Sequence, residues 1–238
     1  MITFPPLEEA RLLRRDNRFR ATALLVAAGQ EVAVHVPNSG RMHEVFGRPG
    51  RRAWLARARR PGRKTPFDLV LVEGEGGVLI SVDARLPNRL FAVALAEGRF
   101  TAWLGKPAAA WEVKPEPRLG AGRADFLLRA ADGTRWWIET KSITLVEDGV
   151  ALFPDAPTAR GRRHLADLCQ RVQAGERAAV VFVAQREDAV AFAAHPTADP
   201  EFSEALRIAS ECGVLVRPYR CQVSLEGIAL AQPLPWLR

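Results

Sequence analysis

Hydrophobic and polar residues alternate over short stretches in the first third of the chain, and polar clusters rich in Gly and Pro separate these stretches. A period of two is typical of strands with one buried face. We therefore predict about five short strands with little helix, which is the strand count of a small closed barrel such as an OB-fold. The predicted elements are strands Ala21–Ala27, Glu31–Val36, Arg51–Arg59, Phe67–Glu73 and Val78–Val82, and a helical turn at Met42–Phe46.

From about residue 88 the pattern changes to helical spacing interspersed with strand-like runs. The order of helix, three strands, helix and strand is typical of an α/β sandwich. We therefore predict a β-rich domain at residues 1–84 and an α/β domain at residues 85–238. The predicted elements are a helix capped by Asn88, strand Ala109–Lys114, a hairpin, strand Val150–Phe153, helix Thr158–Ala174, strand Ala178–Gln185, helix Glu201–Glu211, and strands Val214–Val223 and Ile228–Ala231.

The predicted hairpin, at residues 122–142, carries unusual polar residues between its apolar positions. Asp125 lies in its first strand, and Glu139 and Lys141 lie two positions apart in its second, so the last two leave the sheet on one face.

The turn of this hairpin decides whether the three side chains meet. A two-residue Asp132-Gly133 loop places Asp125 opposite Thr140 and mixes apolar with acidic residues on both faces. A three-residue loop over 131–133, with Gly133 in the left-handed conformation, pairs Asp125 with Glu139 instead. We predict the second register, because it leaves one face apolar and gathers Asp125, Glu139 and Lys141 on the other.

Two opposed carboxylates repel each other unless a cation lies between them. Oxygen ligands suit Mg²⁺, and a neighbouring Lys can offset the charge of a phosphodiester transition state. We therefore predict that Asp125 and Glu139 hold Mg²⁺ or Mn²⁺ and that Lys141 assists. The alternative is a solvated sheet face with an ordinary Glu–Lys pair. Only four of the 34 basic residues are Lys, which favours a specific role for Lys141.

The net charge of +7 is unevenly distributed along the chain. Residues 1–64 contain 14 basic and five acidic residues, which gives them +9 and leaves the remaining chain at −2. This asymmetry favours a nucleic-acid partner over the alternative, a general enrichment in Arg from genome composition. Basic residues also crowd the start of the helix predicted from Thr158, where either a bound phosphate or exposure to solvent would offset their charge. The predicted contacts are Arg41, Arg51, Arg52, Arg59, Arg60, Arg63, Lys64, Arg160 and Arg163.

Other features predict a cytoplasmic protein. The chain has no apolar run close to the ~20 residues that span a bilayer and no signal-peptide pattern at its start. Its three Cys residues show no metal-binding spacing and fit reduced thiols.

Several segments in order along the chain resemble the sugar fermentation stimulation protein A (SfsA) family: VPNSGRM, RKTPFDLVLVE, GRADFLL, IETKSITL and FPDAPTARGRRHL. The resemblance implies an OB-fold barrel followed by a PD-(D/E)xK nuclease-like α/β domain, in bacterial DNA-binding proteins linked to the regulation of maltose metabolism. It also implies that Asp125, Glu139 and Lys141 take the nuclease-type positions, with Glu112 as a fourth acid.

The prediction is thus a DNA-binding protein with a metal-dependent nuclease-like site and no sequence specificity. The alternative is a non-enzymatic regulator that uses an inactive nuclease-like domain to bind DNA. An RNA partner is compatible with the same residues, and the oligomeric state is left open.

Overall fold

The structure is a computed structural model, and it describes residues 1–58 and 62–238. Its first part is rich in strands and contains one short α-helix between the third and fourth strands of a barrel, and a 3-10 helix at Glu75–Gly77. The elements are β1 (Ile2–Thr3), β2 (Leu7–Asn17), β3 (Arg20–Leu25), β4 (Gln30–His35), α1 (His43–Phe46), β5 (Arg52–Arg57), β6 (Phe67–Glu73) and β7 (Leu79–Ser81).

Strands β2 to β6 form a closed five-stranded barrel with OB-fold connectivity. The sheet runs in the order β4-β3-β2-β5-β6, and a parallel pairing of Val34 with Phe67 joins β4 to β6 and closes it. Apolar side chains from every strand fill the interior, including Leu12, Leu55 and Leu69. The predicted OB-fold is therefore confirmed.

The sequence pattern nevertheless missed the longest barrel strand. Strand β2 has six charged residues among its 11, and bulges after Leu12 and Arg15 shift its alternation. The predicted strand Val78–Val82 is β7, which extends the sheet from β6 without joining the closed barrel.

The second part of the chain alternates strands with helices. Its elements are α2 (Leu86–Ala96), α3 (Thr101–Leu104), β8 (Glu112–Pro115), β9 (Arg118–Leu119), β10 (Gly122–Arg123), β11 (Phe126–Arg129), β12 (Arg135–Ile143), β13 (Val146–Glu147), β14 (Val150–Phe153), α4 (Ala159–Gln173), β15 (Arg177–Ala184), β16 (Ala191–Ala194), α5 (Pro200–Cys212), β17 (Leu215–Val223), β18 (Gly227–Pro233) and β19 (Trp236–Leu237).

The main sheet of this domain runs in the order β1-β18-β17-β15-β12-β11-β8, with β12, β15 and β17 parallel at its centre. One face packs against α2 through Phe91 and Ile138, and the other packs against α4 and α5 through Leu165 and Phe202. The predicted α/β sandwich is confirmed. Residues 2–3 add an edge strand to this sheet, so the start of the chain packs with the second domain.

Two helix starts test the capping predictions. Thr158 caps α4 as predicted, since its Oγ1 accepts a hydrogen bond of 3.0 Å from the Gly161 amide. Asn88 was wrongly predicted as a cap, because α2 begins at Leu86 and Asn88 lies within its first turn. Its side chain is used elsewhere, as the site below shows.

The two domains are joined by hydrogen bonds next to the end of β12. Gln185 follows β15 and is fully buried. Its side-chain amide donates to Ser142 Oγ at 2.7 Å and to the Asp83 carbonyl at 3.1 Å, while its backbone carbonyl accepts from the Ser81 amide. The connection between the domains is therefore fixed beside Lys141.

None of the helices in residues 1–58 and 62–238 combines the length and the apolar character needed to cross a membrane.

Candidate active site

The β11–β12 hairpin has the register that the three-residue loop predicts. Phe126 pairs with Ile138, and the Ala130 amide donates to the Thr134 carbonyl at 2.9 Å across the loop. Gly133 has φ +87°, a left-handed conformation that suits Gly. The register prediction is confirmed.

The prediction of one apolar and one polar face was wrong for the body of the hairpin. Phe126 and Ile138 pack towards α2, while Leu127 and Trp137 pack towards α4. Both faces are covered because β12 is a central strand of the sheet. The polar residues begin only at Glu139, near the end of β12.

Asp125 lies directly before β11 and is held by neutral hydrogen-bond donors. Its Oδ1 accepts a hydrogen bond of 2.8 Å from Asn88 Nδ2. Its Oδ2 accepts from the Thr140 amide at 2.7 Å and lies 3.0 Å from the Thr140 hydroxyl, which also contacts Asn88 Oδ1. Helix α2 therefore positions this carboxylate through Asn88.

Glu139 is held by charged or ionisable partners from β12 itself and from α4, although it is only 4% exposed. Its Oε1 lies 2.5 Å from Lys141 Nζ and also contacts His164 Nδ1, on α4. Its Oε2 is buried and has no hydrogen-bond partner among the residues that the structure describes. A buried carboxylate oxygen left without a donor is costly, and a bound cation would satisfy it.

The electrostatics of the two acids differ accordingly. Burial, and then the charge of Glu139, raises the pKa of Asp125 above its ordinary value, although Thr140, Asn88 and Lys141 oppose this. Burial acts in the same direction on Glu139, but Lys141 and His164 outweigh it, so the pKa of Glu139 lies below its ordinary value. Asp125, Glu139 and Lys141 are thus electrostatic neighbours, and we call them the acid–lysine cluster.

The donor set fits a divalent cation. Two buried carboxylates, one with an unsatisfied oxygen and the other with a raised pKa, are the type of donor that suits Mg²⁺, Mn²⁺ or Ca²⁺, which fill their remaining positions with water or substrate oxygens. Over the described residues, no group of three or more His, Cys, Asp and Glu side chains is placed to hold a metal. Asp125 and Glu139 would therefore be the protein ligands.

Glu112 does not join the cluster, and the prediction of a fourth acid at this position needs correction. Glu112 begins β8 and pairs with Arg129 of β11, whereas Phe126, next to Asp125, pairs with Pro115. Three residues of strand, about 10 Å, separate these positions. Asp155, the acid two residues after β14, accepts a hydrogen bond from the Met42 amide in the barrel.

Sequence reasoning missed the contacts of Asn88 and His164 with the two acids. A signal for His164 was present, because Gly161, His164, Leu165 and Leu168 form one buried stripe on α4 at helical spacing. A buried His in such a stripe needs a partner on the sheet. Asn88 gave no comparable signal, since Asn near a helix start is the normal pattern of a cap.

The predicted nucleic-acid contacts fall into two groups. In the first group, Arg41, Lys64, Arg160 and Arg163 are exposed. Arg18, which is not among the predicted contacts, is exposed as well. The second group forms contacts within the barrel. Arg52 lies 2.9 Å from Glu9 and 3.1 Å from Glu73, and Arg63 lies 2.8 Å from Asp68. Arg51 donates to the Glu73 carbonyl at 3.1 Å. Arg59 and Arg60 lie outside the described residues.

The aromatic residues near this surface have mostly structural positions. Trp54 and Phe67 are buried, so they belong to the core and are not available for base stacking.

The barrel, the sandwich and the cluster together define the class of protein: an OB-fold domain joined to an α/β domain with a PD-(D/E)xK nuclease-like fold. Sequence comparison agrees with both halves. The profile described as "SfsA N-terminal OB domain" matches residues 13–82, and that of the "Sugar fermentation stimulation protein RE domain" matches residues 85–227. The chain belongs to the SfsA family.

Relatives match along nearly the whole chain. The sugar fermentation stimulation protein homolog of Moorella thermoacetica is 42% identical, with 98% of each chain covered. That of Symbiobacterium thermophilum is 44% identical, with 97% of this chain and 96% of the relative covered. The structure of Pyrococcus furiosus SfsA in complex with Ca²⁺ is 28% identical, covers 100% of both chains and has a TM-score of 0.87.

Proposed function

We propose that this protein binds DNA and hydrolyses phosphodiester bonds with a divalent cation held by Asp125 and Glu139. The observation that carries the proposal is the buried Oε2 of Glu139, which has no hydrogen-bond partner in the described part of the chain and neighbours a second buried carboxylate, Asp125, whose pKa is raised. A cation would offset both costs. The Ca²⁺ complex of the Pyrococcus furiosus relative supports a site for a hard divalent cation in this family.

Each residue of the site has a distinct task in this proposal. Asp125 and Glu139 supply ligand oxygens, and a bound divalent cation supplies Lewis-acid polarisation of a phosphate oxygen and of water. Lys141, which cannot act as a ligand in its charged form, stabilises the negative charge that builds up on phosphate oxygens in the transition state.

Two further residues position the acids. Asn88 orients the Asp125 carboxylate, and His164 orients the Glu139 carboxylate. Outer partners of this kind fix ligand geometry and tune ligand charge. The two helices α2 and α4 thereby hold one carboxylate each.

DNA is the proposed partner because the exposed arginines can contact phosphates without reading bases, and an RNA strand offers the same phosphates. The free thiols of Cys169, Cys212 and Cys221 support a reducing cytoplasm as the location. A role in the regulation of maltose metabolism stays a prediction from the family resemblance.

The test is a cleavage assay with single-stranded, duplex and branched DNA and with RNA, in Mg²⁺ or Mn²⁺ and in a chelator. We expect cleavage of at least one substrate that requires the cation and disappears in Glu139→Gln. Glu112→Gln is the matched control, since it removes an exposed acid from the same sheet. Cleavage that persists in Glu139→Gln would reveal a contaminating nuclease. Absence of cleavage on every substrate, together with absence of metal binding, would favour the non-enzymatic regulator.

A further inference from the structure

On the barrel surface that is predicted to bind nucleic acid, acidic residues of the same barrel compensate much of the positive charge. Arg52 pairs with Glu9 and Glu73, Arg57 lies 2.6 Å from Glu8, and Arg48 lies 3.2 Å from Glu75. Such pairs reduce the attraction for phosphate, because binding would have to compete with the carboxylates. These paired arginines are therefore weaker candidates for contacts with a nucleic-acid backbone than the sequence indicated.

A second set of arginines meets where the two domains join. Arg15, Arg18 and Arg41 of the barrel and Ala156 and Pro157 of the second domain line an open cavity of about 460 Å³, which we call the junction pocket. Within the described part of the chain, Arg18 and Arg41 form no ion pair, and both are exposed. Their charges are thus available to a ligand.

The barrel side of the junction pocket is rigidly built around Arg15. Its guanidinium donates at 2.8 Å to the carbonyl oxygens of both Arg18 and Gly40, and it also contacts the Arg41 carbonyl. The same group lies 4.9 Å from the centre of the Phe46 ring. Arg15 therefore fixes the backbone that carries the two exposed arginines.

The second domain fixes the same loop from the other side. Asp155 Oδ2 accepts a hydrogen bond of 3.1 Å from the Met42 amide. A Cβ at Gly40 would lie 2.6 Å from this oxygen, so only Gly allows the approach. The loop that carries Arg41 is thus pre-organised by both domains.

The junction pocket leads to the acid–lysine cluster along α4. Pro157 precedes the cap Thr158, and the exposed Arg160 and Arg163 follow in the first turns. Arg160 Nε lies 3.4 Å from His164 Nε2, and the other ring nitrogen of His164 contacts Glu139. Basic side chains therefore line the path from the junction pocket to the buried acids.

We infer that the sugar-phosphate backbone of a nucleic-acid strand crosses from the barrel to the second domain at the junction pocket. Arg18 and Arg41 contact phosphates on the barrel side, and Arg160 and Arg163 contact phosphates on the approach to Glu139. Guanidinium groups bind phosphate oxygens in a bidentate manner, and exposed unpaired ones do so at little cost. The inference rests on the proposed function only in taking a nucleic acid as the ligand.

The test measures binding of fluorescently labelled duplex and single-stranded DNA by anisotropy over a range of salt concentrations, in a chelator to prevent cleavage. Arg18→Ala combined with Arg41→Ala should weaken binding on the order of tenfold and lower the slope of log affinity against log salt by about 2 for duplex. Arg160→Ala combined with Arg163→Ala should have a similar effect.

The matched control is Arg48→Ala combined with Arg57→Ala, which removes the same charge from exposed, carboxylate-paired positions of the same barrel. It should leave the salt slope unchanged and the affinity within about twofold of wild type. Equal losses in the control and the junction variants would overturn the junction pocket while leaving DNA binding intact. If the wild-type protein bound neither duplex nor single-stranded DNA, both the role of the junction pocket and the proposed DNA partner would be wrong. The proposed metal site would not be affected by that result, because metal binding is measured without DNA.

Discussion

The helices that pack on the two faces of β12 contribute different kinds of partner to two similar carboxylates. On the α2 side, Asp125 is held by neutral donors from Asn88 and Thr140, and its pKa is raised by burial and by the charge of Glu139. On the α4 side, Glu139 contacts Lys141 and His164, and its pKa is lowered although burial alone would raise it. The comparison teaches that the charge of the partners, and not burial, decides which acid is ionised at little cost.

Because of this difference, a bound cation would stabilise the two acids for different reasons. The pKa of Glu139 is lowered and one of its oxygens is unsatisfied within the described residues, while the pKa of Asp125 is raised by burial and by the charge of Glu139. A divalent cation held by both carboxylates would therefore offset the burial of the Asp125 charge and give Glu139 Oε2 a partner.

The largest expected effect comes from removal of either acid. Asp125→Ala and Glu139→Ala should each lower cleavage on the order of 10³-fold, because each removes a ligand that no neighbouring acid replaces. Single-turnover cleavage rates measure this effect. Glu112→Ala should stay within about twofold of wild type, and an equally large loss in that variant would mean that the site is wrongly assigned.

A smaller loss should follow from Lys141→Ala. We expect the cleavage rate to fall about 100-fold with metal binding retained, because Lys141 contributes charge and not a ligand. Loss of its charge also raises the pKa of Glu139, so the pH needed for half-maximal metal binding should increase. Lys114→Ala, in an exposed position of β8, is the control. An unchanged pH dependence would show that Lys141 does not set the charge of Glu139.

Substitution of His164 should weaken metal binding moderately, and a polar replacement should restore part of the affinity. His164→Ala should weaken metal affinity about 10–100-fold, as loss of an outer partner does. His164→Asn places a polar atom near the Nδ1 position and should recover part of the affinity, whereas His43→Ala, at an exposed position of α1, should leave it unchanged. Titration calorimetry with Mn²⁺ measures all three. Equal affinity for the Ala and Asn variants would leave His164 with only a packing role.

The smallest effect concerns stability on the α2 side. Asp125→Asn should raise the melting temperature of the metal-free protein at neutral pH by about 2 °C, because it removes a buried charge that Glu139 repels. A flip of the Asn88 amide would keep every hydrogen bond of the site.

The pH dependence of this difference follows from the raised pKa of Asp125. Since the folded protein holds the proton more tightly than the unfolded chain, wild-type stability falls as pH rises from the ordinary Asp pKa of about 3.9 through the raised folded value. The advantage of Asp125→Asn should therefore vanish in acid and be complete above the folded pKa. Calorimetric melting curves over this range would contradict the account if wild type were the more stable protein at neutral pH.

The sequence predicted the register of the hairpin through the turn chemistry of Gly133, although the expected apolar and polar faces do not hold for the body of the hairpin, where both faces are covered. It predicted the barrel from its apolar strands, but it missed β2, whose six charged residues and two bulges hide the period of two. Local pattern therefore sufficed wherever turn chemistry and periodicity agreed.

The surroundings of the acids could not be predicted in the same way. Asn88, Asp125 and His164 are far apart along the chain, and only the packing of α2 and α4 on opposite faces of the sheet brings them to β12. The pairing of Arg52 with Glu9 and Glu73 likewise depends on strand neighbours. Charge counts along the sequence thus located the basic domain but not its free arginines.

The most direct test of the central claim is the binding of Mn²⁺ to the purified protein, followed by titration calorimetry and electron paramagnetic resonance. We expect about one Mn²⁺ ion to bind per chain in wild type and in Glu112→Ala, and none in Asp125→Ala or Glu139→Ala. Absence of binding in wild type, or equal binding in Asp125→Ala, would contradict the assignment of these two carboxylates as the metal site.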